Sequence, residues 1–432
     1  MPKRLSTSSA QFEQEFVALL GAKREVSADV DAAVRDIISD VRRRGDAALI
    51  ELSRKFDNVD LESAGIRVSA AEVDRAVSAC PREALEALSF TRDRIADHHK
   101  RHLPADEIYK DALGVELGHR WTAVSSAGLY VPGGLASYPS SVLMNAVPAK
   151  VAGVPRCVIV VPSPKGELNP LVLAAARLAE VDEIYRVGGA QSIAALAYGT
   201  ETIAAVTKIV GPGNAYVAAA KRQVFGVVGI DSIAGPSEVL VIADRDNDPE
   251  WIAADLLAQA EHDTAAQSIL MTDDETFARA VEAAVERQLL KLPKKEIAGA
   301  SWAEFGAVIL LRSLDEAPAL ADRIAAEHLE IATSEPQLLA DKIRHAGAIF
   351  LGAYTPEVIG DYVAGTNHVL PTARSARFSS GLGVLDFMKR TSLLKLDAGS
   401  LAKLAPSAMT LARSEGLEAH RRSVEIRLQK KV

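Results

Sequence analysis

Apolar positions along the chain recur with two periods, and the change falls near residue 120. Before it the spacing is helical. Val34, Ile37, Ile38 and Val41 mark one buried face of a helix opening at Ser27-Ala28-Asp29-Val30, and Gly45 interrupts it. A further helix runs from Pro81 to about Leu103 and stops at Pro104, so residues 8 to about 103 read as mostly helical. After residue 120, a Gly/Ser-rich turn at 128–141 runs into a helix. Short apolar runs then alternate with helical stretches. Strands are expected at 158–161, 184–187 and 206–210, separated by helices that open at Asn169-Pro170, Gly188-Gly189-Ala190-Gln191 and Gly211-Pro212-Gly213-Asn214. A second set follows at 238–243, 268–271, 308–311 and 348–351, again with helices between. This rhythm predicts an α/β fold of two doubly wound, parallel lobes. No residue-level repeat relates them. From Val384 the chain reads as helical again and ends in basic Arg421-Arg422 and Lys430-Lys431.

Composition narrows the class. At 432 residues, with 48% hydrophobic and 25% charged positions, the chain fits a soluble protein of two large lobes. A net charge of −8 argues against nucleic-acid binding, which needs a basic surface. No run of about 18 apolar residues occurs, so no membrane span is expected. The N-terminal stretch lacks the apolar centre of a signal peptide. Cys80 and Cys157, in so long a chain, suggest a reducing compartment, and the cytoplasm is the expected location.

Candidate chemistry sits at element ends. Asp248 and Pro249 open a helix that carries Ile252, Leu256, Leu257 and Ala260 on one face, with Gln259 and His262 three apart at its edge. The pair reads either as the polar edge of a core helix or as the start of a metal site with N and O ligands. Asp361, in the Gly-bearing stretch 360–372 that also holds His368, can complete such a site. Glu327-His328 closes the apolar helix 320–326. It is an acid/base pair only if that helix frays, as the strand-like 329–331 suggests; otherwise it is surface. Glu415 and His420 offer another carboxylate and imidazole in a turn or on a helix surface. The His98-His99-Lys100-Arg101-His102 tract reads as a solvated charged face. No G-x-G-x-x-G follows a strand, but the 211–214 turn does precede a helix, and a phosphate can sit on such an N-terminus.

Together these segments resemble the histidinol dehydrogenase family, from about residue 25 to the C-terminus. The most specific matches are residues 128–145, 188–191, 211–214, Gly235-Pro236-Ser237-Glu238, 259–262, Ala326-Glu327-His328-Leu329-Glu330, 365–372 and 415–420. The resemblance implies a two-lobed, aldehyde-dehydrogenase-like fold without the usual glycine fingerprint. It implies oxidation of L-histidinol to L-histidine through an aldehyde, using two NAD for the reaction and one zinc per subunit, in the last steps of histidine biosynthesis. Carried over by motif, Gln259, His262, Asp361 and His420 would hold zinc, and Glu327 and His328 would be the acid/base residues. Tyr130, Gln191 and Asn214 would contact NAD. Ser237, His368 and Glu415 would contact histidinol, together with Gln259, His262, His328, Asp361 and His420. The implied arrangement is an N-terminal helical segment (1–25), a lobe carrying zinc and catalytic residues (26–127 with 239–383), an NAD-binding lobe (128–238) and a helical tail (384–432) swapped across a homodimer.

Other readings weigh less. A sibling enzyme acting on another alcohol would not need His368 and Glu415, which suit an imidazole and an amino group. A zinc hydrolase would leave the 188–191 and 211–214 segments unexplained. A structural zinc site is usually Cys-rich, and neither cysteine lies in a candidate cluster.

Overall fold

A computed structural model describes residues 2–21, 28–133, 138–233 and 235–429. Gly134, Ser137, Ser27 and Lys430-Lys431, which figured in the sequence reading, lie outside them. Among the described residues fourteen strands, β1 to β14 in chain order, build three sheets. Two of the sheets belong to one compact unit, residues 1–102 with 125–387.

The smaller parallel sheet of that unit runs β6 (Glu183–Tyr185), β5 (Cys157–Val160), β4 (Ala127–Tyr130), β7 (Lys208–Val210), β8 (Gly229–Ile230). Strands β4 and β5 are buried at every position, as parallel strands covered by helices on both faces must be. The chain leaves β4 first towards β5 and later towards β7, so the order reverses between β4 and β7. In doubly wound sheets that reversal opens a ligand crevice at the carboxyl ends of the strands.

The larger parallel sheet runs β1 (Lys3–Ser6), β11 (Ala307–Leu310), β10 (Gln267–Thr272), β9 (Glu238–Ala243), β12 (His328–Ala332), β13 (Ala348–Leu351). Alternation along β9 splits its residues between two cores. Leu240 and Ile242 pack with Phe16, Ile309 and Leu320 on one face. Val239 and Val241 pack with Ile252, Leu256 and Phe277 on the other. No helix in the described residues is long and apolar enough to cross a membrane.

The expected lobe boundaries differ from this packing in two places. The N-terminal segment is not simply helical: Lys3–Ser6 pairs in parallel with β11, and Phe16 and Leu19 of the following helix lie in the larger core. The helices Ala28–Arg44 and Asp46–Phe56 pack on the smaller sheet, since Val34, Ile38, Val41 and Leu49 share a core with Val158, Val160 and Ile193. The family resemblance placed these helices with the other lobe, whereas their buried side chains pack on the smaller sheet.

The second unit gathers residues 103–124 with 388–432. Here the expected all-helical tail gives way first to a strand. β14 (Met388–Lys395) pairs antiparallel with β3 (Glu116–Ala123), which also pairs with β2 (Glu107–Lys110). Helices Ala398–Ser414 and Glu418–Gln429 follow. The His98–His102 tract is only partly a solvated face, because His99 is buried while Lys100, Arg101 and His102 are exposed.

Candidate active site

The helix carrying Gln259 begins as expected. Asp248 accepts from the Glu250 N–H at 2.8 Å, and Pro249 takes the first position. It ends at Ala260, however. Gln259 lies in the last turn, 1% exposed, and His262 lies beyond the end, exposed, with its N–H donated to the Gln259 carbonyl at 3.2 Å. The pair therefore straddles a helix end rather than sharing one face.

Glu327 and His328 are not on a helix. The preceding helix stops at Ile324, and Ala325 turns the chain through a left-handed conformation (φ 49°). His328 is the first residue of β12, and its side chain and that of Glu327 are buried. The amino end of β12 lies beside that of β9, with His328 registered against Val239. The Glu238 backbone N–H donates to Glu327 Oε2 at 3.2 Å, and Ser237 also hydrogen-bonds the Glu327 carboxyl group.

His328 is the point of convergence. Its Nδ1 lies 3.1 Å from Gln259 Oε1 and 3.3 Å from the Glu238 carbonyl, and 3.5 Å from the Glu357 carboxylate. Both oxygens at 3.1 and 3.3 Å can only accept, so Nδ1 carries a proton and donates. Nε2 lies 3.6 Å from Asp361 Oδ1 and has no hydrogen-bond partner. His368 is fixed similarly: Nδ1 donates to the Asp361 carbonyl at 2.9 Å, and Nε2 meets the Ser141 hydroxyl at 3.2 Å. Ser141 lies on the helix after β4, so this contact joins the two lobes. Asn367 adds a second link, donating to the Met144 carbonyl at 2.6 Å.

Charge around His328 is unusual. Burial opposes a charge on its imidazole, but the carboxylates of Glu357, Glu327 and Asp361 outweigh that and raise its pKa to about 10. Burial raises Glu327 to about 7 and Glu357 to about 8, each partly offset by His328. Burial also opposes ionisation of Asp361, yet the His328 contact holds that carboxyl below its ordinary value. Behind Glu357, its backbone N–H donates to Glu330 Oε1 at 2.6 Å, and Glu330 shares a side-chain hydrogen bond with Asp255.

Sequence reasoning missed Glu357 altogether. An acidic residue after Pro356 reads as a solvated first helical turn, and nothing local marks it as buried. Glu238 and Glu330 stood inside quoted segments without a role.

The three residues expected to contact NAD lie at the carboxyl edge of the smaller sheet. Tyr130 ends β4, Gln191 is buried in the first turn of the helix Gly189–Tyr198, and Asn214 caps the helix Ala215–Val224 by accepting from Tyr216 and Val217 N–H groups, each at 3.1 Å. Tyr130 and Asn214 flank the β4/β7 reversal. Glu415 and His420 lie in the second unit, both exposed, at the end of the helix Ala398–Ser414 and within the helix Glu418–Gln429.

Among the described residues, no group of three or more His, Cys, Asp and Glu side chains is gathered as a metal cage. The donor chemistry nevertheless fits zinc. Gln259 offers an amide oxygen, Asp361 a carboxylate and His262 an imidazole, a mixed N and O donor set of the kind zinc takes, and Gln259 and Asp361 both stand against the His328 ring.

The family model described as histidinol dehydrogenase matches residues 21–428. A histidinol dehydrogenase from Brucella suis biovar 1 is 68% identical over 428 residues, covering 99% of this chain and 100% of the relative. The crystal structure of histidinol dehydrogenase from Elizabethkingia anophelis superposes with a TM-score of 0.94 at 36% identity, covering 99% of this chain and 98% of that one. An acetylating aldehyde dehydrogenase from Geobacillus thermoglucosidasius shares the fold, with a TM-score of 0.50 at 12% identity over 87% of this chain and 99% of its own. With its fold and its near full-length similarity in agreement, the chain belongs to the histidinol dehydrogenase family.

Proposed function

We propose that this oxidoreductase of histidine biosynthesis converts L-histidinol to L-histidine in two NAD-dependent steps at a zinc site. The observation that carries the reading is the buried Glu327-His328 pair. It lies at the amino end of β12, with Gln259 and Asp361 converging on its imidazole. Gln259, His262 and Asp361 would hold zinc with His420, which would come from the partner subunit of a homodimer. Bound there, zinc supplies positive charge among the carboxylates and a Lewis-acid anchor for the amine and imidazole nitrogens of the substrate. Tyr130, Gln191 and Asn214 would hold NAD, which would supply the hydride acceptor for each step. Ser237, His368 and Glu415 would orient the substrate.

The chemistry then follows from the residues. In the first step the alcohol loses a hydride to NAD and its hydroxyl proton to His328. The Nδ1 contacts to Gln259 and the Glu238 carbonyl keep a proton on that nitrogen, so Nε2 is the atom that would take the hydroxyl proton once the positive charge of bound zinc offsets the carboxylates that otherwise favour the His328 cation. Glu327 then takes a proton from the water that adds to the aldehyde, giving the monoanion of the hydrate. A carboxyl group held near neutrality is suited to that exchange. The hydrate loses a second hydride to NAD and a proton, leaving the carboxylate.

The test is an NAD-linked assay. Purified protein with L-histidinol and NAD should generate NADH absorbance, and a chelator should abolish it, with zinc restoring it. NADH formation unaffected by exhaustive chelation would overturn the metal assignment, and no NADH formation from the zinc-loaded protein would overturn the reading as a whole.

A further inference from the structure

The 211–214 turn contains a backbone geometry that its own sequence does not hold in place. Gly211 has a φ of 110°, and a Cβ there would meet the Tyr130 carbonyl oxygen at 2.3 Å. Only glycine fits, and glycine is the residue with the most conformational freedom to lose. Something outside the turn must hold it.

Two buried charges do so. The Gly211 N–H donates to Asp231 Oδ2 at 2.7 Å, and the Gly211 carbonyl accepts from Lys221 Nζ at 2.9 Å. Lys221 and Asp231 also form an ion pair, with side chains 2% and 5% exposed. Lys221 projects from the helix Ala215–Val224, which starts at this turn, and Asp231 directly follows β8. One peptide unit on each side of Gly211 is thus tied to the helix it introduces and to the neighbouring strand.

An ion pair is a poor way to stabilise a core. Taking both charges out of water costs several kcal/mol per ion, and apolar residues of similar volume often serve stability as well or better. What apolar residues cannot do is hold both polar groups of one glycine in a fixed direction. We propose that Lys221 and Asp231 are positioning residues that preset the 211–214 turn for the dinucleotide. This rests on the reading of the β4/β7 crevice as the NAD site. Neither side chain touches the cofactor; they act through the Gly211 backbone, and through it on Tyr130 and Asn214 on either side of the crevice.

The test compares Lys221→Met, Lys221→Gln, Asp231→Leu and Asp231→Asn with the wild type. NAD and NADH dissociation constants are measured by fluorescence titration, and KM for each substrate and kcat at saturation by assay. Lys221→Met and Asp231→Leu should weaken NAD binding and raise its KM tenfold or more. The histidinol KM and the kcat at saturating NAD should stay within threefold. Asp231→Asn keeps an acceptor for the Gly211 N–H and should recover most of the affinity lost in Asp231→Leu. Titration reads only folded protein, and Lys221→Gln replaces Lys221→Met should the latter not fold. Variants that fold and bind NAD within twofold of wild type would overturn the inference alone. A merely structural pair would lower melting temperature and active fraction with both KM values unchanged, which also overturns it. A wild type that binds no dinucleotide would overturn the NAD reading and this inference with it.

Discussion

Glu327 and His328 are neighbours in sequence with different surroundings, and the proposed mechanism gives them different work. His328 faces carboxylates that favour its cation, whereas Glu327 is governed by burial, which favours its neutral form. In Glu327→Gln the amide keeps the shape but cannot take a proton. Single-turnover oxidation of histidinal should therefore fall about 100-fold or more, while hydride transfer from histidinol falls less than about tenfold. Stopped-flow NADH traces from each starting compound check this; equal losses would count against water activation by Glu327. Gln259 and His262 separate in another way. Both alanine variants should lose bound zinc on elemental analysis. Only Gln259→Ala should also lose about 1–2 kcal/mol of stability, because Gln259 is buried against His328 and His262 is exposed. These residues stood out in the chain as candidates, being short polar groups that end apolar runs, and the family resemblance supplied the roles proposed for them. Their settings were not. Glu357 in particular reads as a solvated helix start, and only the fold reveals it 3.5 Å from an imidazole.

Elements repeat that pattern. The strands with continuous apolar runs, such as β9 and β10, were visible because parallel strands buried on both faces need such runs. β1 (Lys-Arg-Leu-Ser) and β4 (Ala-Gly-Leu-Tyr) were not, as one is a polar edge strand and the other lacks β-branched residues. The open edge beside β6 shows how such an edge is finished. Arg186 N–H donates to the Ile66 carbonyl and Val68 N–H to the Ile184 carbonyl, both at 2.9 Å. Just beyond, Ser69 and Glu72 form a capping box that starts the helix Ala70–Ala79, and Glu72 also pairs with the buried Arg186. Burial opposes ionisation of Glu72, but Arg186 and Ser69 hold its pKa at about 2, below an ordinary 4.5. A depressed carboxyl stabilises the fold above its unfolded value, and that stabilisation is lost as pH falls from about 4.5 towards 2. Glu72→Gln should cost about 2 kcal/mol at pH 7, and its gap to wild type in urea midpoint should narrow by pH 3. A gap independent of pH would show that charge on Glu72 is immaterial.

At the scale of the whole molecule the proposed function divides the labour between the two parallel sheets. The carboxyl edge of the smaller one carries Tyr130, Gln191 and Asn214, and the amino edge of the larger one carries Glu238 and His328. The links from Ser141 to His368 and from Asn367 to Met144 join the lobes. Glu415 and His420 belong to the second unit, and the dimer reading has them serve the partner's site. Subunits of inactive His262→Ala and His420→Ala variants, exchanged by co-refolding, should then regain roughly a quarter of wild-type activity, since half the dimers are mixed and each restores one of two sites. No recovery in mixtures shown by mass to contain mixed dimers would rule the swap out. Two hydride transfers at one site are the core of the proposed activity, and the stoichiometry of the complete reaction tests them most directly. With limiting L-histidinol and excess NAD, the zinc-loaded protein should yield about two NADH per histidinol consumed, with histidine as the product by mass and no free aldehyde; one NADH per histidinol with aldehyde accumulating, or none, would contradict the account.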